Sequence, residues 1–310
     1  MLLLVASCHE TQGPQAQKSE ELTTPNEVGA MRGTLLLPSG RPPFPVVLIV
    51  AGSGPVDRNG NQLPALHTDA YRLLAEGLAA KGVASLRYDK RGVGASAAAV
   101  GRVEEMTIEM EAADVSRFMA ALRRDARLGR LVLAGHSLGS LLSILAAESA
   151  NADAYASLEG AGRPIGAVLR EQLGRQIPDA ELVGQANAII DQLEAGRTVA
   201  SVPDVLAAVF APRVQPYLIS WMKYDPAREL ARLTGPALIV QGTTDVQVGI
   251  ADAQRLAAAR PDATLALIQG MCHVLKLAGT SLDSQMSAYT DPSLPLVPEV
   301  VERLAALATR

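Results

Sequence analysis

The chain has 310 residues, of which 48% are hydrophobic, and a formal net charge of -4 with both signs scattered along it. That is ample apolar material for a large core, and the lack of any basic run argues against a nucleic-acid partner. Aromatic residues make up only 3%, which disfavours a stacking platform for bases or sugars, and no apolar run approaches the ~20 residues of a membrane-spanning helix.

At the N-terminus, Met1–Ser7 is apolar and ends at Cys8, and a polar stretch from His9 to Pro25 follows. Val5-Ala6-Ser7-Cys8 resembles a bacterial lipobox, in which the cysteine is lipidated after signal cleavage. No basic segment precedes it and the apolar part is short for a signal. A start codon placed too far downstream accounts for both departures. The alternative is a frayed tail with a chance cysteine. On the first reading Cys8 carries a lipid anchor and the protein sits in the cell envelope; on the second it is cytoplasmic. Residues 1–26 are taken as a tail outside the folded core. The only other cysteine, Cys272, gives with Cys8 neither a disulfide framework nor zinc spacing.

Val28–Leu37 alternates and ends in Pro38-Ser39-Gly40, which reads as strand and turn. Val46–Val50 is a continuous apolar run of the kind found in central parallel strands. It runs into a glycine-rich loop, Ala51-Gly52-Ser53-Gly54, that lacks both the Gly-Lys-Ser/Thr end of a phosphate-binding loop and a GxGxxG fingerprint. Thr68–Ala80 has helical spacing closed by Lys81-Gly82. Val83–Tyr88 is the next strand, followed by a second glycine-rich loop over residues 89–96. Ile108–Arg124 is an amphipathic helix, and Arg130–Ala134 is another buried strand.

The stretch after that strand organises the rest. Gly135-His136-Ser137-Leu138-Gly139 fits Gly-x-Ser-x-Gly, and an alanine-rich helical segment follows from Ser140. Strand before and helix after are the context of a nucleophile elbow. The two glycines let the strand and helix backbones close tightly around Ser137. The first free N–H groups of the helix then face whatever Ser137 attacks.

Tyr155–Leu158 reads as one more strand. From 163 to 233 the pattern is helical, broken by prolines, with no convincing strand, and is read as an inserted helical cap. Sheet signals resume with Pro236–Gln241, a helix over Ile250–Arg260, a strand over Thr264–Ile268 and a closing helix over Pro298–Thr309. Strands alternating with helices imply a mostly parallel sheet whose site lies at the strand carboxyl ends. The core is therefore assigned to residues 27–162 and 234–310.

A serine hydroxyl is a poor nucleophile at neutral pH without a base, and the base needs an orienting acid. Asp245 and His273 each follow a predicted strand, on the edge that carries Ser137. Of the four histidines, His9 lies in the tail, His67 precedes a helix and His136 is inside the elbow. Asp252 and Asp262 compete with Asp245, but the first falls in a helix and the second before a strand. The N–H of Leu138 and one from the Ser53–Gly54 loop would form the oxyanion hole. Tyr217, Trp221 and Tyr224 fall at i, i+4 and i+7 and are read either as a pocket wall or as plain cap core.

These residues carry a resemblance. Gly-Ser-Gly-Pro-Val-Asp-Arg-Asn-Gly (52–60), Tyr-Asp-Lys-Arg-Gly-Val-Gly-Ala-Ser (88–96), the elbow, Tyr-Asp-Pro (224–226), Gln-Gly-Thr-Thr-Asp (241–245) and His273 resemble bacterial α/β-hydrolase-fold serine esterases of the serine-aminopeptidase-like, EstD-like branch. The resemblance implies hydrolysis of a small-molecule carboxylic ester through an acyl-enzyme, with no cofactor; separately, no His/Asp/Cys cluster in the sequence supports a metal centre. Ala51 departs from it, since relatives often carry His there. In that family the loops holding Asp57-Arg58 and Asp89-Arg91 shape the site, and their charges are read here as loop-bracing ion pairs. The runner-up activity is an aminopeptidase, which needs a carboxylate for the substrate ammonium; Glu159, Glu171 and Asp225 are available. A non-catalytic binding protein on this fold usually lacks a triad member, whereas all three are present.

Overall fold

The computed structural model describes residues 16–150 and 152–310; Cys8, with the lipid-anchor reading, lies outside them. The strands are β1 (Lys18–Pro25), β2 (Ala30–Leu37), β3 (Phe44–Val50), the short pair β4 (Asn61–Gln62) and β5 (Leu66–His67), β6 (Ala84–Tyr88), β7 (Leu128–His136), β8 (Ala154–Leu158), β9 (Ala237–Gly242) and β10 (Thr264–Ile268). The helices are α1 (Ala70–Ala80), α2 (Ile108–Arg123), α3 (Leu138–Ala150), α4 (Ile165–Gln176), α5 (Ala180–Glu194), α6 (Ala207–Phe210), α7 (Gln215–Met222), α8 (Pro226–Leu230), α9 (Ile250–Ala259), α10 (Leu282–Thr290) and α11 (Pro298–Thr309).

Among the described residues, eight strands form one sheet in the order β1-β2-β6-β3-β7-β8-β9-β10. β1 and β2 pair antiparallel, as do β2 and β6, and the remaining neighbours are parallel. The continuous apolar runs of β3 and β7 are explained by burial on both faces. Along β3, Val47 and Ile49 pack with Tyr71, Leu74 and Leu78 of α1 and Val300 and Leu304 of α11. Val46, Leu48 and Val50 point the other way, onto Val115, Phe118 and Leu122 of α2 and Leu141 and Leu142 of α3. A strand with period-two side chains thus serves two helical layers. Each fully buried side chain of this kind contributes roughly 1.5–3 kcal/mol.

The helices between β8 and β9 have a core of their own, in which Leu173, Ile189, Ile190, Leu193, Phe210 and Leu218 are buried together. They meet the sheet layers through α7, where the Ser220 hydroxyl accepts the first N–H of α2, from Ile108, at 2.9 Å. Among the described residues no helix is long and apolar enough to cross a membrane.

Two readings of the sequence need correction. Lys18–Pro25 is not part of a tail: it forms β1, paired with β2 along its whole length from Lys18↔Leu37 to Pro25↔Ala30. As an edge strand it is exposed on most of its surface, so it needs no apolar alternation to be stable there. Tyr224 does not continue the face of Tyr217 and Trp221, because α7 stops at Met222. The chain turns extended at Asp225 before Pro226, where a proline disfavours helix in the residue preceding it.

Candidate active site

The elbow is forced by close approach. A Cβ on Gly135 would lie 2.1 Å from the carbonyl oxygen of Gly139, and one on Gly139 would lie 2.1 Å from that of Val50. Only glycine fits either position. Ser137, between β7 and α3, has φ of 53°, a left-handed conformation that costs a non-glycine residue on the order of 1–3 kcal/mol. Its N–H is held by the carbonyl of Leu158 in β8 at 2.9 Å.

The loops after β9 and β10 bring Asp245 and His273 together. His273 Nδ1 donates to Asp245 Oδ2 at 2.7 Å, and both side chains are nearly fully buried. Asp245 Oδ1 accepts the N–H groups of Gln247 at 2.7 Å and Val248 at 3.0 Å. Burial alone would raise this carboxyl; the charge and hydrogen bond of His273 outweigh it, and with further donors bring it down to about 2. With Nδ1 committed to Asp245, Nε2 is the ring nitrogen left to exchange a proton. Ser137 and His273 line one cavity.

Glu159 adds a second carboxyl. It follows β8, has φ of 53° and is fully buried. Its Oε1 accepts the Gly242 N–H at 2.8 Å, and its Oε2 accepts from the Gln241 amide. Burial, then the neighbouring Asp245, holds its carboxyl well above the usual range. The two neighbouring carboxyls are thus shifted in opposite directions, Glu159 up and Asp245 down. The sequence offered Glu159 only as an ammonium anchor, a role its burial excludes.

The raised carboxyl has a stability consequence. The folded chain keeps a proton at pH values where the unfolded chain, with an ordinary value of 4.5, has lost it. Stability therefore falls as pH rises above 4.5 through the folded value. Glu159→Gln mimics the protonated acid and should remove that slope. Melting temperatures compared between about pH 5 and pH 8 should fall less for the variant than for wild type; equal slopes would contradict the assignment.

His136 is braced from both sides. Its Nε2 meets the carbonyl of His273 at 2.7 Å, and its Nδ1 meets the Tyr71 hydroxyl at 2.8 Å. A carbonyl only accepts, so Nε2 carries the proton and Nδ1 accepts from Tyr71. Burial, then the neighbouring His273, lowers its pKa to about 3, which keeps it neutral. Tyr71 in turn accepts the Gly52 N–H at 3.2 Å.

The cavity has two lobes that share Ser53, Ser137 and Gln247. The smaller, about 100 Å³, includes Tyr71, His136, His273, Val274 and Tyr289 in its wall. The larger, about 370 Å³, includes Gly54, Leu138, Leu141, Tyr217, Leu218 and Trp221. The residues read as nucleophile, acid, base and oxyanion donors thus converge, together with Tyr217 and Trp221. Tyr224 lies elsewhere: its hydroxyl donates to Glu109 at 2.9 Å. Among the described residues neither lobe is lined by a carboxylate. Glu171 pairs with Arg163 and Arg175, and Asp225 with Arg255 and Arg228. The loop charges pair as well, Arg58 with Asp89 and Arg91 with Asp114 and Glu27. Among the described residues, Glu159, Asp245 and His273 are the one group whose potential metal-ligand atoms lie within 4.8 Å of one another. Their hydrogen bonds to each other and to the adjacent backbone already engage those atoms.

A mostly parallel sheet with a glycine-flanked, strained serine between its central strand and the following helix defines an α/β-hydrolase. The chain belongs to the serine aminopeptidase, S33 family, whose model matches residues 65–277. It is 29% identical to Esterase EstD of Thermotoga maritima over 238 residues, which cover 76% of this chain and 54% of that protein. It thus spans about half the length of the curated relative it matches. Among solved structures it is similar to the ferulic-acid-bound Est1E of Butyrivibrio proteoclasticus, at a TM-score of 0.61, 19% identity, and 93% and 100% coverage of the two chains. It is also similar to the α/β hydrolase GrgF of a Penicillium species, at a TM-score of 0.61, 16% identity, and 96% and 99% coverage.

Proposed function

We propose that this chain hydrolyses carboxylic esters of short to medium acyl chains through an acyl-enzyme. The observation that carries the reading is the 2.7 Å bond from His273 to the buried Asp245, in the wall of the cavity that also holds the strained Ser137. In this reading Ser137 Oγ attacks the ester carbon and His273 Nε2 takes its proton. The N–H of Leu138 and that of Ser53, with Gly54 next to it, hold the oxyanion. As the intermediate collapses, His273 returns the proton to the leaving alcohol. Water then repeats the sequence on the acyl-enzyme. The helices of residues 163–233 act as the cap over a core that starts at β1.

The two lobes divide the ester. The leaving alcohol has to meet the base, and His273 lines only the smaller lobe. The acyl group then takes the larger, mostly apolar lobe beneath Trp221. Among the described residues neither lobe carries a carboxylate, which favours esters over peptides with a free amino terminus, even though the family takes its name from an aminopeptidase.

The test is kcat/KM across p-nitrophenyl esters. Each buried methylene is worth about 0.8 kcal/mol, so kcat/KM should rise up to roughly fourfold per carbon from acetyl to butyryl or hexanoyl, until the lobe is full. Trp221→Ala should flatten the rise and leave acetyl turnover within about tenfold, because it alters binding and not the reacting groups. Parallel profiles would make Trp221 plain core. Faster cleavage of aminoacyl anilides than of esters would favour the peptidase.

A further inference from the structure

Lys90, in the loop after β6, is 6% exposed. An ammonium is strongly hydrated, so burying one demands that its donors find partners. Its Nζ donates to the carbonyls of Gly52 at 3.0 Å and Gly54 at 3.1 Å, and pairs with Glu111 Oε1 at 3.2 Å. Glu111, on α2 and also buried, accepts the Tyr217 hydroxyl at 2.6 Å. The lysine therefore ties the loop after β3 to α2, and through Glu111 to the wall of the larger lobe.

The carbonyls it holds flank Ser53. Gly52 C=O and Ser53 N–H belong to one peptide, and that peptide is trans, since the cis bonds fall at Pro42-Pro43 and Leu63-Pro64. In a trans peptide the two groups point in opposite directions. Fixing the Gly52 oxygen on Lys90 therefore fixes the heading of the Ser53 N–H. Gly54 C=O precedes Pro55, whose nitrogen has no hydrogen, so that contact anchors the loop without consuming a donor. Gly52 N–H goes to Tyr71. Gly52 also packs against the nucleophile: a Cβ placed on it would lie 3.1 Å from Ser137 Cβ. Among the described residues no partner takes the Ser53 N–H, and Ser53 lines both lobes.

We infer that Lys90 is a positioning residue for the oxyanion hole: by holding the carbonyls of Gly52 and Gly54 it aims the Ser53 N–H at the oxyanion formed beside Ser137. The inference rests on the ester-hydrolase reading and on Ser53 as a donor.

Lys90→Met alone would strand the charge of Glu111, so the informative variant is Lys90→Met with Glu111→Gln, compared with Glu111→Gln alone. The probes are p-nitrophenyl butyrate and an alkyl trifluoromethyl ketone, whose serine adduct places an oxyanion in the hole. Removal of an oxyanion donor costs on the order of a hundredfold in kcat. The double variant should lose on that order in kcat with KM within about threefold, and its affinity for the ketone should fall by a similar factor. Glu111→Gln alone leaves Lys90 on both carbonyls and still offers it an amide oxygen, so in both readouts it should lose far less than the double variant. A purely structural role predicts a lower melting temperature with kcat and ketone affinity of the folded protein unchanged, and that result would overturn the inference. A wild type inert to both probes would overturn it together with the reading beneath it. The two failures are distinct, because only the second appears before any substitution is made.

Discussion

Ser137→Ala should lower kcat/KM for p-nitrophenyl butyrate on the order of ten-thousandfold to a millionfold and leave the melting temperature nearly unchanged. The lost atom is the proposed nucleophile. The fold should not notice its removal, because the local architecture depends on the backbone. The Ser137 N–H to Leu158 remains, and the two glycines still allow the close approach of β7, α3 and β3. Alanine carries the same Cβ into the same left-handed conformation, so the strain is also unchanged. Residual turnover should come from the oxyanion donors and binding alone. Steady-state kinetics with a thermal melt on the same sample checks both halves. Retention of most of the activity would remove Ser137 from the chemistry.

Asp245→Asn should cost about ten-thousandfold in kcat with a much smaller change in KM. Here the surroundings decide which way the amide faces. The N–H groups of Gln247 and Val248 both point at Oδ1, so the asparagine oxygen must stay there to accept them. Its NH₂ group then faces His273 Nδ1, a position now held by a carboxylate oxygen. Two donors cannot face each other, so Nδ1 has to give up its proton and become the acceptor. The ring proton moves to Nε2, the nitrogen needed as base, and His273 can no longer take a proton from Ser137. A kcat loss of less than about tenfold would mean that His273 does not depend on Asp245 for its tautomer.

Much of this arrangement was legible in the sequence because the relevant constraints are local. Gly135 and Gly139 mark a turn that admits no side chain, and the apolar runs of β3 and β7 mark strands buried on two faces. Asp245 and His273 stand out in the sequence because they lie just past strand ends, where a parallel sheet collects its loops. The competitor Asp252 is consumed elsewhere: fully buried, it pairs with Arg163 and accepts the Gly162 N–H at the start of the helical insertion.

What escaped the sequence depends on contacts distant along the chain. β1 is polar because an edge strand needs only its neighbour's hydrogen bonds, and β2 supplies them. α10 shows no apolar stripe, since only Gln285 and Ala288 are buried along it. The raised carboxyl of Glu159, just after β8, comes from burial and from Asp245 in the loop after the neighbouring β9, a pairing that no spacing announces. Lys90 sits in a charged motif that reads as loop bracing, and its link to the Gly52 and Gly54 carbonyls appears only when the loops after β3 and β6 lie side by side. Tyr224 stays outside both lobes because Pro226 ends the helical spacing, yet with Tyr217 and Trp221 it packs against the main core, as the plain-core reading has it.

Covalent labelling asks whether Ser137 is a nucleophile activated by His273 and Asp245. The full chain is treated with a fluorophosphonate, digested and mapped by mass spectrometry. A single adduct is expected on the peptide carrying Ser137, absent in Ser137→Ala and formed far more slowly in His273→Ala and Asp245→Asn. No adduct, or an adduct on another serine that survives Ser137→Ala, would contradict it.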